Sequence, residues 1–342
     1  MLDSTWIASR ALATAWGGRL IIFTVSNGPY VPVGVTWHKG ASSIGLARHA
    51  VIFAVDAAAA CDLAANGLAA QTYLLGGQLP RYRGLEHAAL SASSAWRCNS
   101  SLPAVRFRLL SALSRSREPR LDVLYSDADV EWLGSPLPAL ARVVGASAQP
   151  RGVATSHGSW PFELSQKWGA TACTGVFFTY GALPASFWAR LSLLYNRDGN
   201  DQVHFNHLML DDLGVRWPRA RLQYGRRSNA STDTALLCLS PTGGAGAVSV
   251  PPCAPNSSLP FTLLSFIEFP RMNCSSGHNR LGRERSVPPE TTLLHCKTGT
   301  YMASSKHTDA GIKHAEGECL RQASLVDTSQ RCRMDGLSEG ER

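Results

Sequence analysis

The segment Val123 to Trp132 (VLYSDADVEW) sets two carboxylates, Asp127 and Asp129, two residues apart where an apolar run ends. In extended chain, residues i and i+2 point to the same side, so both carboxylates can face one ligand. Two carboxylates close together repel unless a cation lies between them. A hard divalent ion, Mg²⁺ or Mn²⁺, shared between protein oxygens and a substrate phosphate resolves that repulsion. The bland alternative is a pair of solvated turn aspartates, since the motif is short.

The elements around this segment predict how it is held. Arg19 to Asn27 (RLIIFTVSN) reads as a buried strand ending at a Gly-Pro turn, and His49 to Asp56 as a second apolar run. Asp56 is a candidate N-cap for an alanine-rich helix that stops at Asn66-Gly67, and Gln71 to Leu75 is the next strand. Strand, helix and strand at this spacing form a βαβ unit, so a parallel sheet is expected. Pro103 to Ser116 reads as an amphipathic helix with Val105, Leu109, Ala112 and Leu113 on one face and Arg106, Arg108 and Arg115 mostly off it. Leu121 to Leu133 is a strand that leaves the sheet at its acidic residues, where open α/β sheets bind ligands. Gly152–Ser156 and Thr174–Tyr180 are further strands, and Ala185–Tyr195 and Val203–Leu213 are helices. The charge-free stretch Thr234–Ile267 holds five prolines and reads as a loop insertion.

The chain has 342 residues, 44% hydrophobic and 17% charged, a globular composition with a formal net charge of +8. That excess suits an anionic ligand, an acidic polymer or a membrane surface without choosing among them. Nucleic acid ranks last, because the basic residues are dispersed and no helix-turn-helix or aromatic-basic pattern occurs. The Gly-rich run after Thr242 lacks the lysine of a phosphate-binding loop. Nine cysteines show no metal-ligand spacing, and Cys238, Cys253 and Cys274 bracket the Pro-rich stretch and could staple it, as could other pairings. Sequons at Asn99, Asn229, Asn256 and Asn273, read with the cysteines, favour a secretory lumen over cytosol. No segment reads as a membrane span, and the first residues lack a signal-peptide pattern.

"DVLYSDADVEWLGSPLP" resembles the signature of the nucleotide-diphospho-sugar transferases, a GT-A-fold group that includes plant and algal cell-wall xylosyl- and arabinosyltransferases. Asp127, Asp129, Trp132, Pro136, Leu137 and Pro138 carry the match. Further along, Thr174-Gly175-Val176-Phe177-Phe178 resembles the family's Thr-Gly-Phe strand. Asp201-Gln202-Val203-His204-Phe205-Asn206 resembles its Asp-Gln-x-x-x-Asn segment, and Leu293-Leu294-His295 its late apolar-His motif. The order holds over roughly residues 19–315. Two departures are Cys173, where the family often has Asn, and the 234–267 stretch.

The resemblance implies an α/β, GT-A-like (Rossmann-like), mixed and mostly parallel sheet flanked by helices. It implies a single transferase domain over 19–315 with the insertion at 234–267, an N-terminal extension at 1–18 and a polar tail at 316–342. It implies transfer of a sugar, a pentose among the candidates, from a nucleotide-diphosphate donor such as a UDP-sugar to a glycan or glycoprotein acceptor, with retention. Asp127, Asp129 and His295 would hold Mn²⁺ (or Mg²⁺), Asp129 the more directly. Asp201 would stand at the anomeric carbon, with Gln202 bonding donor or acceptor; the pair also suits a helix N-cap. Ser26, Asn27 and Asp56 sit where such a fold places the nucleotide, Asp56 being equally suited to capping its helix. Thr174 and Gly175 would lie at the donor. Arg106, Arg108, Lys306 and Lys313 are the candidate cations for the diphosphate, each alone being as well read as a solvated surface charge. Trp37 matches a family Trp and suits the core. The implied compartment is the Golgi lumen, with membrane attachment only through an anchor not evident in the chain.

Rival readings are a haloacid-dehalogenase-like phosphatase and a non-catalytic carbohydrate-binding domain. The phosphatase would use Asp127 as nucleophile and Asp211-Asp212 as an acidic pair. That group places its motif near the start of the domain, followed by Gly-Thr, whereas here more than a hundred residues precede it and Val130-Glu131 follows.

Overall fold

The computed structural model describes residues 3–75, 101–114, 121–147, 150–158, 163–164, 171–181, 183, 187, 201–209, 233–238, 258–264, 269, 271–272 and 291–296. The sequons and Lys306 and Lys313 lie outside the described residues, as does nearly all of the helix expected at 185–195.

In chain order the elements are α1 (Ser4–Arg10), β1 (Leu12–Ala13), β2 (Arg19–Ser26), α2 (Val31–Ser43), β3 (Ala50–Ala54), α3 (Ala57–Leu63) and β4 (Thr72–Leu74). Then come α4 (Ser101–Ser114), β5 (Leu121–Ser126), β6 (Val130–Trp132), α5 (Leu137–Ala146), β7 (Gly152–Gly158) and β8 (Thr171–Tyr180). The last are α6 (Asp201–His207), β9 (Asp233–Cys238), β10 (Ser258–Leu263), β11 (Arg271–Met272) and β12 (Leu293–Cys296).

The main sheet has the order β4-β3-β2-β5-β8-β7-β10-β9, with β1 beside β2. Strands β4, β3, β2 and β5 are mutually parallel, β8 is antiparallel to both β5 and β7, and β10 is parallel to β7. The sheet is therefore mixed and mostly parallel, as expected. Its central strands are apolar without alternation because both faces are covered: β3 and β8 are buried at every residue. One face packs Trp6, Leu109, Leu110 and Phe205 from α1, α4 and α6. The other packs Trp37, Leu63 and Leu140 from α2, α3 and α5. This is a three-layer α/β/α arrangement.

The strand order reverses between β2 and β5. From β2 the chain winds outward through β3 to β4, then returns to place β5 on the other side of β2. Beyond the carboxyl ends of these two strands lies the crevice position at which doubly wound sheets usually bind ligands. Ser26-Asn27 and Asp127 stand on its two sides.

Three parts of the architecture differ from the sequence reading. Residues 3–18, expected as an extension, form α1 and β1, and Trp6 and Ile7 are buried in the core. After the Gly-Pro turn, where no element was expected, the chain forms helix α2, because Pro29 lies in a short 3-10 turn and Pro32 sits at the helix start, where its missing N–H costs nothing. The stretch read as a loop at 234–267 begins and ends in strands: β9 pairs with β10, and β10 extends the main sheet against β7. Pro260 falls inside β10, and prolines at both flanks masked two short apolar strands. Residues 239–257 between them lie outside the described residues.

Candidate functional site

The acidic strand end is built from β5, β8 and α4. The backbone N–H of Asp127 donates to the carbonyl of Gly175 at 2.7 Å, prolonging the β5–β8 ladder by one residue. The chain then turns, with Val130 N–H donating to Asp127 C=O at 3.1 Å, and re-enters an extended form as β6. This turn holds Asp129 at the mouth of the crevice, partly exposed.

Arg106 is buried at 4% exposure. Its Nη1 donates to Asp127 Oδ1 at 2.7 Å and its Nη2 to Thr174 Oγ1 at 2.9 Å. The guanidinium lies over the rings of Phe107 and Tyr125, at 4.9 and 5.1 Å from their centroids. The Tyr125 hydroxyl also donates to Asp127 Oδ1. Burial pushes the Tyr125 phenol well above the usual tyrosine range, the negative charge of Asp127 adds to that, and Arg106 opposes it. The phenol therefore stays protonated and remains a donor.

Arg106, expected as a candidate cation for the diphosphate, is a buried counter-ion of Asp127 rather than a solvated surface charge. The helix periodicity misses this because Arg106 reaches partners 19, 21 and 68 residues away, on other elements. Thr174 and Gly175, expected at the donor, likewise make their described contacts to this cluster: the hydroxyl accepts from Arg106 and the carbonyl from Asp127.

On the other side of the crevice, Asp56 caps α3, its Oδ1 accepting from Ala59 N–H at 2.7 Å. Its Oδ2 accepts from Gly28 N–H at 3.3 Å, which ties the ends of β2 and β3 together. Ser26 and Asn27 are buried at 0% and 7%. Trp37 is a core residue: its indole N–H donates to Ser126 Oγ at 2.7 Å and its ring meets Trp132 edge to face.

The expected histidine arrives from the far end of the chain. Strand β12 pairs antiparallel with β6, and the register sets His295 opposite Val130, next to Asp129. Among the described residues no three metal-ligating side chains stand together; the side chain of His295 is not among them. By type, two carboxylates and an imidazole from Asp127, Asp129 and His295 would suit Mn²⁺.

Gln202 opens the third wall. It lies in the first turn of α6, buried at 9%, with its Nε2 so near Gly158 that a Cβ there would sit 3.0 Å from it. The carboxyl end of β7 thus meets the Asp201-Gln202 turn directly. Ser156 and His157, on that same strand end and buried, were not singled out in the sequence. A polar pair at the carboxyl end of a predicted strand was the signal for them.

No family model matches the chain, and no curated protein matches it. Among solved structures it is similar to the galactosyltransferase LgtC in complex with donor and acceptor sugar analogs, at 13% identity over 87% of this chain and 95% of that one, with a TM-score of 0.44. It is similar to mouse xyloside xylosyltransferase 1 at 11% identity over 82% of this chain and 98% of that one, with a TM-score of 0.39. It is also similar to the bifunctional glycosyltransferase WbbM at 10% identity, covering 91% of this chain and 53% of that one, with a TM-score of 0.42. At these scores the overlap carries nothing about substrate or chemistry, which must come from the site's own residues.

Proposed function

We propose that this chain is a metal-dependent glycosyltransferase that moves a sugar, hexose or pentose, from a nucleotide-diphosphate donor to a glycan or glycoprotein acceptor, with retention. One observation carries the reading. Asp127-x-Asp129 leaves the central strand at the sheet's reversal point, and a strand from the other end of the chain sets His295 beside it.

Breaking the anomeric bond of a sugar nucleotide builds negative charge on the β-phosphate. A bound Mn²⁺ supplies Lewis-acid stabilisation of that charge, and Asp129, Asp127 and His295 are the residues to hold it. Arg106 and Tyr125 keep Asp127 in one orientation toward the crevice. Ser26, Asn27 and Asp56 line the side suited to the nucleoside, with Lys306 and Lys313 as candidate cations for the diphosphate. In this reading Asp201 would stabilise an oxocarbenium-like centre, as the second carboxylate does in retaining glycosidases, with Gln202 binding donor or acceptor. For the compartment we favour the secretory lumen: Cys61 is disulfide-bonded, which fits an oxidising environment and the sequons. Among the described residues no helix is long and apolar enough to cross a membrane.

The test is a panel of nucleotide sugars, read as hydrolysis and as thermal shift with and without Mn²⁺. A UDP-sugar should be turned over only with the metal. Asp129→Ala should abolish that turnover while the circular dichroism spectrum is unchanged. Full activity in Asp129→Ala would refute the metal assignment. Release of phosphate from simple phosphomonoesters, with no response to any nucleotide sugar, would move the protein to the phosphatase reading.

A further inference from the structure

Helix α6 is only seven residues long, too short to hold its own position, and it carries the two residues given the reacting centre above. Phe205 and Asn206 seat it, beside Gln202 at Gly158. Phe205 is fully buried among Phe107, Phe177 and Phe261, with ring centroids 6.4, 5.3 and 6.2 Å away. Aromatic packing of this kind fixes the depth of the helix but leaves it free to roll.

The roll is set by Asn206, which is 1% exposed. Its Oδ1 accepts from Ala172 N–H at 2.8 Å. Its Nδ2 donates to Ala172 C=O at 2.8 Å and to Gln202 C=O at 2.7 Å. The amide thus grips both backbone groups of one β8 residue and one backbone group of the helix turn that bears Gln202.

Ala172 has a special place in β8. In the pairing of β7 with β8, Thr155 faces Phe177 but Ser156 faces Cys173, so Thr174, Gly175 and Val176 bulge out of that ladder. The same three residues turn to β5: Val176 pairs with Ser126, Gly175 C=O accepts from Asp127 N–H, and Thr174 Oγ1 accepts from Arg106. Thr174 lies two residues along the strand from the Asn206 clamp at Ala172, Gly175 three and Val176 four.

We infer that Asn206 is a positioning residue that sets the Asp201-Gln202 turn against the Asp127-x-Asp129 strand end, acting through the β8 bulge. This rests on the glycosyltransferase reading for its catalytic meaning but not for its structural content. The bulge leaves the β7 ladder between Phe177 and Cys173, faces β5, and starts from Ala172 and Cys173, which pair with His157 and Ser156 while the clamp holds both backbone groups of Ala172. Loosening the clamp removes one of the supports on the strand that leads to Asp127.

The experiment is residue-resolved amide hydrogen exchange on the full chain, wild type against Asn206→Ala and the milder Asn206→Ser. Exchange at Asp127 should quicken roughly tenfold, the size of one weakened buried hydrogen bond, while the β2–β3 ladder at Thr24 and Val25 holds its protection. Faster exchange at Ala172 alone, or an equal loss of protection everywhere in both variants, would overturn the inference. Steady-state kinetics add a second reading. Turnover should fall at least roughly tenfold while the donor KM stays within about threefold, since the interaction is felt at the reacting centre rather than in donor binding. If the wild-type chain turns over no nucleotide sugar, the glycosyltransferase reading fails, and the exchange data still decide the clamp.

Discussion

Strand β5 carries a carboxylate at each end, and the two are held in opposite ways. Asp122, near the amino end, is fully buried. Its Oδ2 accepts from Trp16 Nε1 at 2.7 Å and its Oδ1 from Gly181 N–H at 2.9 Å. Both of these donors are neutral and rigid, and they close the β1–β2 turn and the end of β8 over the bottom of the sheet. Asp127, just past the carboxyl end, keeps 28% of its side chain exposed and meets a cation, Arg106, and a protonated phenol. A closed carboxylate with neutral donors serves as an anchor. One that is open to a crevice and backed by a buried guanidinium is poised to meet a second cation from the solvent side. If Asp127 works as proposed, the sheet separates stability from chemistry along the length of one strand.

The comparison can be broken most sharply at the open end. Arg106→Met should cost about 3 kcal/mol of stability, because it strands a partly buried carboxylate and removes the support of Thr174. It should also lower turnover by at least about a hundredfold if Asp127 works as proposed, and denaturant melts with kinetics on the folded fraction check both losses. At the closed end, Asp122→Ala should cost about 2 kcal/mol by leaving the Trp16 and Gly181 donors without their acceptor. Its turnover per folded molecule should be unchanged; a large catalytic defect there would erase the distinction between the two ends. The smallest effect belongs to neither carboxylate. Burial lowers the pKa of His38, with its bond to the Ala47 carbonyl opposing the shift. The unfolded chain therefore takes up a proton at higher pH than the folded one. Stability should be full above about pH 6.5, the ordinary histidine value, and fall as pH drops below it. His38→Gln should flatten that slope in melts between pH 5 and 8, and an unchanged slope would assign it elsewhere.

Much of this was legible because the central strands obey a simple rule. Strands buried on both faces read as unbroken apolar runs, so β2, β3, β5 and β8 could be placed from Arg19–Ser26, Ala50–Ala54, Leu121–Ser126 and the Thr-Gly-Val-Phe-Phe stretch. The cap at Asp56 and the glycine stop at Gly67, with φ +79°, were equally local signals. What escaped depended on distant partners or on prolines in permitted places. Pro260 sits within β10, although the Pro-rich stretch around it reads as a loop, and Pro32 opens α2, a helix for which the sequence reading gives no element. Arg106 looked like a surface residue of an amphipathic helix until β5 supplied Asp127 and β8 supplied Thr174. The described structure includes the backbone of Asp201 at the start of α6 and of His295 opposite Val130, while Lys306 and Lys313 fall outside it.

The β6–β12 pairing has a consequence for how the protein is made. The main sheet through β8 can assemble from the first half of the chain, but the strand bearing His295 comes from deep in the second half. Contacts between such distant segments close last, since their loop entropy must be met before they contribute. During synthesis the nascent chain would hold a nearly finished scaffold, and, if His295 is the ligand proposed, competence for catalysis would appear only once β12 has left the ribosome and docked.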